Sequence, residues 1–189
     1  TSTVGAPNGL VHIPGQPNTP VDAINFYNVD EQVFTLAGPD ILLVKLIQTE
    51  YDPYNLTVNP KAIPGARIRY TINATNQGTG AADNNSTVIT DNVPANTDLC
   101  VADPCAQGLD PVRFIDGPGV NAPSGLAFNY AADASYSSDP GPLYTYGYAP
   151  TADAGGYDPA VTSVQIAPTG PFLAPSGGGN PGFNLELRV

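Results

Sequence analysis

Lysine and arginine are scarce in this chain, six in 189 residues against seventeen aspartates and glutamates. The formal net charge of −11 repels phosphate backbones and anionic headgroups, so nucleic acid is excluded as a partner. Charged residues of either sign make up only 12%. Ser, Thr, Asn, Gln and Gly must then cover the surface, a coat typical of secreted β proteins and ordered assemblies. Long apolar runs are missing too. The longest, Ile41 to Ile47, is broken by Lys45 and falls far short of the ~20 residues that span a bilayer, so no membrane insertion is expected. No basic and apolar leader opens the chain, which starts at Thr1; the expectation is a mature, exported protein of the bacterial cell surface whose signal peptide has been removed.

Histidine is all but absent. The single His12 lies in a Pro/Gly-rich leader, which leaves no cluster for a metal. Neither a Gly-x-Ser-x-Gly elbow nor a phosphate-cradling Gly-Lys-Ser/Thr sequence occurs. The sequence therefore predicts no catalytic residue, no metal site, no cofactor and no enzyme. Calcium at the loop acids Asp133, Asp139, Asp153 and Asp158 is the minor alternative, and their spacing matches no calcium loop.

Helical periodicity is missing as well: 21 Pro and 20 Gly are scattered throughout, and the segments between them carry no sustained helical pattern. What is present is a series of short segments with period-two alternation, separated by Gly, Pro, Asn and Asp, the pattern of an antiparallel sandwich. Ala66, Ile68, Tyr70, Ile72 and Ala74 face one way while Arg67, Arg69, Thr71, Asn73 and Thr75 face the other. Phe183, Leu185, Leu187 and Val189 alternate in the same manner with Asn184, Glu186 and Arg188. Further strands are expected over 86–91, 111–115, 126–130, 143–148 and 161–167. Ile41 to Ile47 is apolar without alternation, which predicts a strand covered on both faces or lying centrally.

Residues 1–39 have another texture and read as an extended arm ahead of a single sandwich domain at 40–189. The arm carries apolar side chains at Val21, Ile24, Phe26, Tyr27, Val29, Val33, Phe34 and Leu36, with Gly38-Pro39 as a hinge. Cys100 and Cys105 flank a short loop with a proline in it, and in an oxidising compartment they form a disulfide.

Lys45 sits in the middle of the most apolar strand, where an unpaired ammonium is costly. It either reaches solvent at a sandwich edge or condenses with a side chain such as Asp91 into an isopeptide; Asn73 and Asn76 are the other conceivable partners. Asn55, Asn73 and Asn85 head Asn-x-Ser/Thr sequons, which mark possible glycosylation and occur readily by chance in a chain this rich in Asn and Thr. Tyr136, Tyr144, Tyr146 and Tyr148 offer either core packing or a face on which surface glycans could stack.

Between Lys45 and Thr97 the short blocks Leu-Val-Lys-Leu, Asn59-Pro60, Ile63-Pro64-Gly65-Ala66, Ile68-Arg69-Tyr70-Thr71-Ile72, Thr75-Asn76-Gln77-Gly78 and Thr90-Asp91-Asn92-Val93-Pro94 follow one another in a recognisable order. That order resembles the bacterial and archaeal surface-protein family known as domain of unknown function eleven, the conserved repeat domain. The resemblance implies an immunoglobulin-like β-sandwich in an envelope protein. Only one copy is present and it carries a long arm, unlike a simple stalk repeat.

Two functions follow as expectations. The first is an extracellular structural subunit whose partners are other copies of itself, assembled into a filament or layer by exchange of the N-terminal strand. The second is a monomeric or tandem adhesin module that binds glycan or protein.

Overall fold

The computed structural model describes residues 37–105 and 108–189. They are almost entirely β, with one four-residue helix, and no helix among them is long and apolar enough to cross a membrane. In chain order the strands are β1 (Ile41–Tyr51), β2 (Arg67–Asn76), β3 (Ile89–Asn92), β4 (Leu99–Cys100), β5 (Val112–Asp116), β6 (Ala122–Pro123), β7 (Ala134–Ser137), β8 (Tyr157–Asp158), β9 (Ser163–Ile166) and β10 (Pro181–Arg188). The helix, α1 (Tyr130–Asp133), precedes β7.

Two antiparallel sheets make the sandwich. The first runs β1-β2-β10-β5, with β6 pairing parallel to the start of β10; the second runs β3-β9-β7, and β4 and β8 form a separate ribbon. Alternation decides which side chains enter the core. Ile72, Ala74, Phe183, Leu185 and Leu187 from the first sheet meet Ile89, Tyr136, Val164 and Ile166 from the second in one buried cluster, closed by Phe172. The inward parity read from β2 and β10 therefore holds.

Three expectations are corrected. Residues 126–130 are not a strand, because Asn129 caps α1 by accepting a hydrogen bond from Ala131 N–H, and only Ala127 makes an isolated bridge, to Thr169. Residues 143–148 are not a strand either; Pro142 lacks a donor and only Tyr148 bridges, to Tyr136. The third correction concerns Ile41 to Ile47, which among the described residues is neither central nor covered. β1 is the outer strand of its sheet, with Leu43 and Ile47 54% and 64% exposed on the face toward the second sheet and Leu42 and Leu46 46% and 52% exposed on the other.

The chain enters β1 through a clamp. The buried Asn76 side chain accepts from the N–H groups of Asp40 and Gly78 and donates to the carbonyls of Gly80 and Leu173. Pairing continues beyond the strand, with Gln77 N–H donating to Asp40 and Gly80 N–H to Gly38. Gly78 has to be glycine, since a Cβ there would overlap Gly38 O and Asp40 N. Asn76→Ala removes four hydrogen bonds from a site without solvent, and is expected to cost about 2–4 kcal/mol. Thermal unfolding followed by circular dichroism should show Tm lowered by roughly 5–15 °C.

At the other end of β1 the buried Asp52 organises the loop 52–61. Burial alone would raise its carboxyl, but hydrogen bonds from the Asn55 backbone and side chain and from the N–H groups of Lys61 and Tyr54 outweigh it and hold the pKa at about 2. A depressed carboxylate stabilises the fold above its unfolded value, about 3.9, and that contribution is lost as the pH falls through about 2. The loop so fixed points Tyr54, Leu56 and Val58 into solvent, 84%, 55% and 77% exposed.

Candidate functional site

The candidate site is the open side of the sandwich, where β1 and β3 end their respective sheets. Among the described residues each pairs on one side only, β1 with β2 and β3 with β9. The register Lys45↔Ile72 turns Leu43, Lys45 and Ile47 toward the second sheet. Asp91, two residues beyond the buried Ile89, faces back. Lys45 Nζ lies 2.6 and 2.7 Å from the two Asp91 oxygens and 4.5 Å from the centre of the Tyr70 ring. Among the described residues one ion pair thus spans the opening, flanked by exposed apolar side chains.

Of the three conceivable partners of Lys45, Asp91 is the one beside it, while Asn73 and Asn76 are elsewhere. Asn73 points to the opposite face of β2, and Asn76 is engaged in the clamp. Both Asp91 oxygens contact the ammonium symmetrically, as in a charge pair. Condensation needs a neutral amine, a protonated acid and a proton donor for the departing water, and among the described residues no third carboxyl group is bonded to the pair. The intact mass should therefore equal the sequence mass less the two hydrogens of the disulfide; loss of one further water would establish the cross-link instead.

The outer face of the first sheet holds a feature that sequence reading missed. Glu50 pairs with Arg67 Nε at 3.4 Å, Arg69 Nη1 at 3.3 Å and Arg188 Nε at 3.2 Å. Glu186 pairs with Arg69 Nη1 at 3.3 Å, Arg113 Nη1 at 3.7 Å and Arg188 Nη2 at 3.3 Å. Arg188 Nη1 also donates to Asp110 O at 3.0 Å, and Arg69 reaches over β1 to donate to the Gln48 side chain. Four of the chain's six basic residues are gathered here, and four guanidinium groups against two carboxylates leave an excess of two positive charges on a strongly acidic protein. Nearer the start of β1 the same face carries a cavity of about 300 Å³ lined by Leu42, Val44, Thr75, Asn121 and Asn184. Asn73 also borders it, and its Oδ1 is buried with no hydrogen-bond donor.

The remaining candidates are dispersed. Cys100 and Cys105 form a disulfide with Cα atoms 6.1 Å apart, compatible with an oxidising, extracellular compartment. Asn55 and Asn85 are exposed, with Asn55 donating to Asp52 and Asn85 accepting from Gly170 N–H; Asn73 lies within β2. Asp133, Asp139, Asp153 and Asp158 are each held by backbone donors of their own loops, and among the described residues no three metal-ligating side chains converge. Tyr136 is buried, its hydroxyl shared with Tyr130, and burial together with that neighbour pushes its pKa up. Tyr146 bonds Ser163 and Tyr148 donates to Asp158. The arm residues Val21, Ile24, Phe26, Tyr27, Val29, Val33, Phe34 and Leu36 lie outside the described residues, as does His12.

No protein-family model matches the chain, and neither curated proteins nor solved structures yield a match. The resemblance to the conserved repeat domain rests on its short sequence blocks.

Proposed function

We propose that the chain is a secreted, extracellular structural subunit that assembles with copies of itself into a filament or surface layer, donating residues 21–36 as a β-strand to a neighbour. The observation that carries this reading is β1, an eleven-residue apolar strand at a sheet edge with side chains exposed on both faces. Proteins normally blunt such an edge with charge, proline or a short strand, because its unpaired N–H and C=O groups template pairing with another chain. Here the edge is long and apolar, and Lys45 is already spent on Asp91. A strand from another copy would satisfy the backbone and cover the apolar side chains together.

The low charge, the disulfide and the single domain support an extracellular address, and the sandwich is read as immunoglobulin-like, in keeping with envelope proteins. The reading includes no catalytic step and no cofactor. The adhesin alternative draws less support, since Tyr136, Tyr146 and Tyr148 direct their hydroxyls to partners within the domain. Competition tests the proposal: a synthetic peptide spanning residues 20–37, in molar excess, should lower the assembled mass measured by light scattering, while a scrambled peptide should not. Equal mass with both peptides would reject it.

A further inference from the structure

We infer that the apolar loop after β1 docks on the next copy, in the groove on the outer face of its first sheet, with the Tyr54 ring between Leu42 and Asn184 and its hydroxyl on Asn73. The inference rests on the self-assembly reading above and adds a second contact, between two parts of the domain at 37–189, that sets the direction in which copies stack.

The groove follows from the register of three strands. Leu42 and Val44 stand opposite Thr75 and Asn73, and Asn73 stands opposite Asn184. Gly182, opposite Thr75, adds no side chain; a Cβ there would overlap Ala74 O and the Asn121 amide. The result is a hollow of about 300 Å³ with an apolar wall, three side-chain amides and no charged group. Its hydrogen bonding is incomplete, because Asn73 Oδ1 is buried without a donor. An unpaired amide oxygen is costly, so the fitting occupant brings an O–H or N–H on an otherwise apolar body.

The loop has that form. Tyr54 is the one exposed tyrosine among the described residues, and among them its hydroxyl has no hydrogen-bond partner. Leu56 and Val58 are exposed beside it. A phenol joins an apolar ring to a polar tip, and its hydroxyl can donate to an amide oxygen. The loop is also fixed in advance. Asp52 accepts from the N–H groups of Tyr54, Asn55 and Lys61, and Asp52 and Leu56 exchange backbone hydrogen bonds. Leu56 is held at a φ of 57°, a left-handed conformation that strains a leucine. A loop so constrained loses little further entropy on docking.

Charge and distance select a second copy as the occupant. With a net charge of −11 the copies repel one another, so they meet most readily where both surfaces lack acids. Residues 53–60 contain no charged side chain, and the groove has none either. The domain cannot fill its own groove, since Leu42 and Asp52 are separated by the length of β1, roughly 30 Å, and the loop is pinned to Asp52. Two unlike patches at opposite ends of one strand make a heterologous contact, which repeats head-to-tail instead of pairing off. Three projecting side chains bury less than the ~1,000 Å² of a stable interface. The contact therefore aligns copies that the donated strand holds, and does not hold them alone.

Cross-linking in the full-length chain tests the inference. Copies carrying Tyr54→Cys are mixed with copies carrying Thr75→Cys or Gln48→Cys and treated with a short bis-maleimide, which spares the disulfide between Cys100 and Cys105. Thr75→Cys, in the groove, should give the heterodimer band; Gln48→Cys, at the loop's own end of the same face, should not. Tyr54→Phe should raise the protein concentration at half-assembly about tenfold, and should raise it no further in an Asn73→Ala background. An unchanged midpoint for Tyr54→Phe would overturn the hydroxyl contact. A dimer band from Tyr54→Cys copies alone would mean that loop meets loop, and would overturn the head-to-tail contact. Absence of the Tyr54–Thr75 band, with high-mass material still present by light scattering, would overturn this docking and leave strand exchange standing. A monomeric full-length chain would remove self-assembly, and this inference with it.

Discussion

Deletion of residues 1–36 is expected to convert the assembled protein into a folded monomer. The cut falls before Ala37, so the clamp on Asp40 and Gly80 stays intact and the sandwich keeps the hydrogen bonds described for it. The described core side chains of the cluster around Leu185 and Val164 lie downstream of the cut. What disappears is the donor. Light scattering should report the mass of one truncated chain across the concentration range, while circular dichroism remains that of a β protein. Truncated protein of undiminished assembly mass would mean that the domain bodies alone hold the copies together.

The second large effect is expected from the acceptor. Leu42→Asp together with Ile47→Asp places one carboxylate on each face of β1. Both side chains are largely exposed in the single domain, so each substitution should change its stability by no more than about 0.5 kcal/mol. In an assembly the same positions lie beneath the donated strand, where an unpartnered charge costs on the order of 3 kcal/mol, roughly a hundredfold in affinity. The full-length variant should thus keep its Tm as a monomer and lose its high-mass form. Normal assembly of this variant would show that β1 is not the acceptor.

Much of the fold was legible in the sequence because alternation is a local signal. In β2 and β10 every second residue is apolar, and those residues are the ones that reach the core. β7 gave little to read: of Ala134, Ser135, Tyr136 and Ser137 only Tyr136 is a large apolar side chain, and its place between the helix and the core comes from pairing with β9. The tyrosine run at 144–148 alternates in the same way as a strand but forms none, with the Tyr146 and Tyr148 hydroxyls bonding to Ser163 and Asp158.

Ile41 to Ile47 shows a different limit. An apolar run without alternation records that both faces call for cover, and it does not record which chain supplies the cover. The arginine cluster was hidden for a related reason. Arg67, Arg69, Glu186 and Arg188 were all assigned outward, yet they meet only because β10 pairs with β2 across more than a hundred residues of chain. Lys45 stayed open between solvent at an edge and a partner among Asp91, Asn73 and Asn76, because the cost of an unpartnered lysine does not say which side chain meets it.

Negative-stain microscopy of the native full-length protein bears most directly on the central claim that one copy completes the open edge of the next. The account predicts unbranched filaments, or layers built from them, with a repeat about one domain long and no free ends other than the two termini. A uniform field of single domains at high concentration would contradict it.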